Sequence, residues 1–182
     1  MNTCANRLRA VWLVVLMALP TGAMAAPTGI PPGSEAPEIA GPMLRGEPLR
    51  LSGLRGKVVL VDFWASYCGP CILAMPEINQ IRADLHAAGH ADAFEVVGVA
   101  MDREPEKAEQ FLSRVPVDYP IIIDTLGLAA HSYGVWRLPA TYLIDAGGTI
   151  QRIWYGFGDT FAADIRRHAL TYLAAAEDGT KP

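Results

Sequence analysis

The segment that most constrains this chain is Val58-Val-Leu-Val-Asp-Phe-Trp-Ala65, an almost continuous apolar run rich in β-branched residues. A strand with one wet face alternates apolar and polar residues. A run apolar on both faces belongs to a strand covered by helices on both sides, as in a parallel sheet. Ser66-Tyr67 follows, then Cys68-Gly69-Pro70-Cys71, then an amphipathic pattern with Ile78, Ile81, Leu85 and Ala88 at helical spacing. Gly89 is suited to end that helix as a left-handed cap. The cysteine pair therefore falls at a strand-to-helix junction. Unpaired N–H groups and the helix dipole favour an anion there, so the Cys68 thiol is expected to ionise more readily than a free one. Pro70 suits the first helical turn, where no intrahelical donor is lost. Cys71 is then expected one turn inside and better shielded. One cysteine is placed to attack and the other to resolve. Pro76 lies within the helical pattern and is expected to kink it.

Asp62 is the one charged residue of the apolar run, and two readings of it stand open. It is either a strand-end acid that reaches water, or a buried carboxyl whose pKa is raised by desolvation and which exchanges a proton with Cys71. Lys57 lies five residues back along the strand, on the opposite face, and is poorly placed to pair with it. The nearby Gly53-Leu-Arg-Gly56-Lys57 does not have the spacing of a phosphate loop and precedes a strand, so it reads as a turn.

The chain has 182 residues and three cysteines, Cys4, Cys68 and Cys71. Cys4 precedes the unbroken apolar run Ala10–Leu19, which follows Arg7 and Arg9 and leads to Ala23-Met-Ala25, a small-x-small cleavage pattern. Ten apolar residues fall well short of the roughly 20 a bilayer-spanning helix needs. Residues 1–25 are accordingly expected to be an export signal cleaved after Ala25, with membrane association only if it stays uncleaved. The mature chain then holds a single cysteine pair. Two arginines and no acids leave with the signal, moving the formal net charge from −4 to −6. That balance argues against a nucleic-acid partner.

A bridge between Cys68 and Cys71 closes almost no loop, so stabilisation is a poor reason for it. A c-type haem site needs His after the second Cys, where Ile72 stands. A structural zinc site needs four ligands, and no second cysteine pair stands beside Cys68 and Cys71. A redox-active dithiol fits the surroundings best.

The rest of the chain continues in kind. Phe94–Met101 reads as a second buried strand, Glu104–Val115 as a helix with Ala108, Phe111, Leu112 and Val115 on its apolar stripe, and Tyr119–Asp124 as a third strand. A short helix is expected over Thr125–Tyr133. Leu138–Asp145 and Thr149–Tyr155 read as hairpin partners across Gly147-Gly148. Asp159 or Thr160 is placed to cap a last helix with Phe161, Ile165, Ala169 and Leu173 on one face. The β-α-β-α-β order implies a parallel sheet. Residues 26–33 are expected to form a loose leader, 34–177 the folded domain and 178–182 a tail.

Val61-Asp-Phe-Trp-Ala-Ser-Tyr-Cys68-Gly-Pro-Cys71 resembles the active-site segment of thioredoxins. The approach from Ser34-Glu-Ala-Pro37 to Leu51–Lys57 resembles the exported TlpA-like branch (ResA/CcmG-type), and the likeness runs from about Gly33 to Ala176. The resemblance implies an α/β thioredoxin-like fold: a central mixed sheet flanked by helices, an N-terminal β extension, and a central strand-and-helix insertion over about Asp102–Val135 that shapes partner choice. It implies a periplasmic thiol–disulfide oxidoreductase with Cys68 as nucleophile, Cys71 as resolving thiol and Asp62 as proton acceptor and donor. Substrate contacts are implied for Gly69, Pro70, Leu138, Pro139, Trp64 and Tyr67; by its place in the strand Trp64 reads more readily as core, and Tyr67 reads equally as groove wall or as cover for the helix. Pro139 is expected to be cis and to face the dithiol, while Leu138 pairs with an extended substrate segment. No cofactor or metal is implied. A disulfide-containing protein is the implied substrate and a membrane thiol transporter the implied electron donor.

Three positions depart from that branch. Ala74 replaces a frequent glutamate, Asp62 stands where many members have Asn, and Tyr67 where Trp is usual. These departures weaken the transfer of a role in cytochrome c maturation and leave the dithiol chemistry intact. Disulfide oxidase or isomerase activity remains a rival reading, as does a copper-binding chaperone, since a soft thiolate pair suits Cu(I). Related copper carriers use a Cys-x3-Cys spacing plus a histidine, one residue longer than this pair. A peroxidase's threonine falls at Ala65.

Overall fold

A computed structural model describes residues 29–179. The expected signal segment, the first part of the leader and residues 180–182 lie outside the described residues. The apolar runs form the centre of a five-stranded mixed sheet in the order β5-β4-β3-β6-β7. Strands β3 (Val58–Trp64), β4 (Phe94–Ala100) and β5 (Ile121–Ile123) are parallel; β6 (Ala140–Ile144) runs antiparallel to β3, and β7 (Ile150–Tyr155) antiparallel to β6. A two-stranded N-terminal hairpin, β1 (Ala40–Gly41) with β2 (Leu49–Arg50), precedes them. Its connecting segment covers the β5 edge through Leu44 N–H to Ile121 O (2.8 Å) and Ile123 N–H to Pro42 O (3.0 Å). Paired in this way, β5 presents no open edge on that side.

The helices are α1 (Cys71–Leu85), α2 (Pro105–Leu112), α3 (Leu128–Ser132) and α4 (Phe161–Glu177). Strand alternation sorts the core into two layers. Val58, Leu60 and Trp64 pack with the buried faces of α1, α2 and α4, whereas Val59, Val61 and Phe63 pack with Ile39, Leu51, Ala130 and Tyr133 on the other side. This two-sided cover is why β3 carries no polar face. The section between β4 and β6 holds α2, β5 and α3, the strand-and-helix insertion expected from the sequence.

Three local expectations need correction. Ala88 is exposed, because α1 ends at Leu85 and a π turn carries the chain to Gly89 at φ 97°, which takes Ala88 off the buried stripe. Thr160 precedes α4 in a helical conformation, without a side-chain capping bond. The described part of the leader is packed against the domain: Gly33 N–H bonds Ile150 O (2.7 Å), and Ile30 rests on the core. Gly134, at φ +63°, lets the chain at Gly29 come so close that a Cβ there would stand 2.6 Å from the Gly29 Cα.

Candidate active site

Strand β3 ends at Trp64, and Cys68 N–H turns back to Ala65 O (3.0 Å). The next bonds, Cys71 N–H to Cys68 O (3.2 Å), Ile72 N–H to Gly69 O (3.2 Å) and Leu73 N–H to Pro70 O (3.1 Å), span three residues each. They wind Gly69 and Pro70 into a tight turn, so α1 begins at Cys71 with Pro70 as its cap. Cys71 is therefore the first helical residue, where one turn inside was expected. It is shielded all the same, since the helix lays Cys71, Ala74, Met75 and Ile78 on the sheet. Cys68 is 7% exposed and Cys71 0%. The two are joined as a disulfide, Sγ–Sγ 2.05 Å.

A groove of about 410 Å³ opens beside Cys68. Tyr67, Gly69, Pro70 and Leu138 line it. Met101, Val135, Trp136 and Arg137 complete it; the sequence reading passed over them because nothing local ties the segment before Leu138 to the dithiol. The Leu138–Pro139 peptide is cis, and Pro139 is buried at the start of β6. Trp64, suggested as a substrate contact, is corrected: it is fully buried, its ring 5.1 Å from that of Phe111. As an even-numbered residue of β3 it faces the helical layer, away from the groove.

Asp62 shares that face by the same alternation, and its carboxyl is completely buried. Burial excludes the water-reaching alternative. Thr141, its register partner on β6, donates to Oδ1 at 2.9 Å. Desolvation pushes the carboxyl up to about 7, with the Thr141 bond opposing the rise. Lys57 reaches away, to Ala91 O at 3.1 Å. Among the described residues, three buried side-chain polar atoms have no hydrogen-bond partner: Asp62 Oδ2, Trp64 Nε1 and Tyr119 Oη. Gly98, the register partner of Asp62 in β4, lies against the Trp64 and Tyr119 side chains. A Cβ at Gly98 would come within 3.0 Å of the Tyr119 ring and 3.2 Å of Trp64 Nε1. Tyr119 lies in the field of Asp62, which, after burial, helps raise its phenol well above the ordinary value.

A second carboxylate steadies the turn from outside the strand. Asp102, just past β4, accepts Ser66 N–H at Oδ2 (2.9 Å) and Ser66 Oγ–H at Oδ1 (2.5 Å). The sequence signal for it was available: a lone acid at the end of an apolar strand, like Asp62.

The sheet order, the dithiol at the β3–α1 junction and the groove at β6 together define a thiol–disulfide oxidoreductase with a thioredoxin-like fold. Residues 32–153 match the AhpC/TSA family, and the chain belongs to that family. It is 33% identical over 141 residues to the thiol-disulfide oxidoreductase ResA of Geobacillus thermodenitrificans, covering 78% of each chain. It is 34% identical over 131 residues to the thioredoxin-like protein YneN of Bacillus subtilis, covering 70% of this chain and 74% of that one. Among solved structures, a candidate thiol:disulfide interchange protein DsbE from Chlorobium tepidum superposes with a TM-score of 0.73 at 34% identity, over 79% of this chain and 99% of that one. The protein is a thiol–disulfide oxidoreductase of the ResA/DsbE type, and such enzymes act on disulfide-containing substrates.

Proposed function

We propose that this oxidoreductase is an exported, periplasmic reductant of disulfides in partner proteins. The observation that carries the reading is the asymmetry of the dithiol: the groove reaches Cys68 and does not reach Cys71. The Cys68 thiolate attacks one sulfur of the partner's disulfide, that bond breaks, and a mixed disulfide forms with one partner thiolate released. Cys71 gives its proton to Asp62 and attacks Cys68 Sγ. The second partner thiolate leaves, the partner has gained two electrons, and Cys68–Cys71 is oxidised. Leu138 supplies backbone for an extended partner segment, with Gly69, Pro70, Pro139 and Tyr67 around it.

The reducing direction is supported by Gly69-Pro70, which adds neither charge nor side-chain donor to stabilise the reduced thiolate. Potentials of such dithiols run from roughly −270 mV in thioredoxin to −120 mV in DsbA, a difference of about 7 kcal/mol for two electrons. A value below about −200 mV is expected on equilibration with glutathione; one near that of DsbA reverses the direction. A reductant in an oxidising compartment needs electrons, which a membrane thiol transporter supplies. Export is supported by the apolar run Ala10–Leu19 and the Ala23-Met-Ala25 pattern.

The test is trapping. Cys71→Ser is expected to accumulate mixed disulfides with exported proteins that dissolve in dithiothreitol, and Cys68→Ser to trap far less. Equal trapping by both variants overturns the assignment of roles. No trapping by either, with stoichiometric Cu(I) binding by the wild type, favours a copper carrier. Trapped apocytochromes with Cys-x-x-Cys-His segments place the enzyme in cytochrome c maturation; other partners point to a broader or different reductase.

A further inference from the structure

The groove beside Cys68 carries one charged residue, and its sign is opposite to that of the chain. The protein has 15 basic and 19 acidic residues, yet Arg137 is the only ionisable side chain lining the groove besides Tyr67 and Cys68. Arg137 is exposed, and among the described residues it has neither an ion pair nor a hydrogen-bond acceptor. Its position is nonetheless prepared. The guanidinium lies against Gly156, where φ is +80° and a Cβ would stand 3.1 Å from Nη2 and 3.3 Å from Cζ. Glycine at that corner gives the group a flat backbone shelf, and Gly156 N–H in turn bonds Pro139 O (2.7 Å). The shelf is thus tied to the same loop that carries Leu138.

The neighbouring surface has the complementary chemistry. Tyr67 is 73% and Trp136 64% exposed, and the Trp136 ring is braced by Tyr155 at 5.1 Å. Among the described residues, Trp136, Arg137 and Leu138 make no backbone–backbone hydrogen bonds, leaving their N–H and C=O groups free for an added strand. An extended segment along this edge sends alternate side chains to opposite sides. One meets the aromatic walls and another the guanidinium.

We propose that Arg137 is a specificity residue that selects partner segments bearing a carboxylate beside the disulfide-bonded cysteine, with an apolar or aromatic side chain against Tyr67 and Trp136. The proposal rests on the groove being where a partner disulfide docks. A guanidinium pairs with a carboxylate through two parallel N–H···O bonds, a geometry that rewards a prepositioned fork. The carboxylate takes no part in electron transfer; it affects docking, and so KM.

Three peptide homodimers, each joined by one disulfide and differing only in Glu, Gln or Lys flanking the cysteine, provide the test. Wild type is expected to reduce the Glu peptide about threefold to fivefold faster than the Gln peptide in kcat/KM, on the scale of an exposed ion pair. The Lys peptide is expected to be slowest, and the spread to shrink as salt rises from about 0.05 to 0.5 M. Arg137→Gln brings the Glu-to-Gln ratio close to one, and Arg137→Glu makes the Lys peptide the fastest of the three. Reduction of all three at one rate by wild type overturns the proposal and leaves the reductase reading intact. An equal loss on all three in Arg137→Gln also overturns it, since the charge then acts on the Cys68 thiolate. Failure of wild type to reduce any peptide, or insulin, overturns the reductase reading itself.

Discussion

Asp62, within β3, and Asp102, just past β4, are both buried, but the protein completes only one of them. Asp102 lies beyond the end of β4 and uses both oxygens on Ser66, the residue that opens the turn to Cys68. Asp62 lies within β3, accepts one bond from Thr141, and leaves Oδ2 without a partner. A carboxylate satisfied on both oxygens fastens a loop. One left half-satisfied in a dry layer holds its proton near neutral pH and is suited to exchange it. Burial is common to the two acids; the number of donors reaching them is what differs.

The sharpest way to break this comparison is through pH. With the Asp62 carboxyl raised by burial to about 7, the folded protein keeps a proton that the unfolded chain has released above about 4. Folding then takes up a proton between those values, so this contribution to stability is complete at acid pH and lost as pH rises through about 7. The oxidised wild type is expected to lose about 4 kcal/mol from this group across that window. Urea unfolding of Asp62→Asn should show a flatter profile; parallel profiles remove the raised carboxyl from the account. Asp102→Ala should cost about 2–3 kcal/mol, because the Ser66 N–H and hydroxyl both lose their acceptor. An unfolding midpoint equal to wild type means that Asp102 does not fasten the turn. The rate effect is expected to be smallest: Asp62→Asn slows insulin reduction at pH 7 by about tenfold, through the step that deprotonates Cys71. Rates equal to wild type from pH 6 to 8 leave Asp62 without a proton role.

Much of the frame was readable along the chain because its signals are local. The apolar run Val58–Ala65, the turn Cys68–Cys71 and the stripe through Ile78 and Ile81 each depend on neighbours a few residues away. The helix begins at Cys71, later than the start expected near Cys68, because three-residue hydrogen bonds tighten the turn before it. Trp64 was open between core and groove wall because adjacency to Cys68 says nothing of which face of β3 it occupies, and alternation puts it in the core.

By itself, then, the order of residues determined that a buried strand feeds a Cys-x-x-Cys turn, and that one acid lies among apolar neighbours within that strand. Such features follow from backbone periodicity and the chemistry of single side chains. Only the tertiary structure decided what meets them. Strand order set Thr141 opposite Asp62, although they stand 79 residues apart, and Asp102 onto Ser66 across 36. It likewise brought Trp136 and Arg137 to the groove of Cys68. The physical reason is that tertiary packing and sheet register bring together segments far apart along the chain, so these partners leave no periodic trace in the sequence.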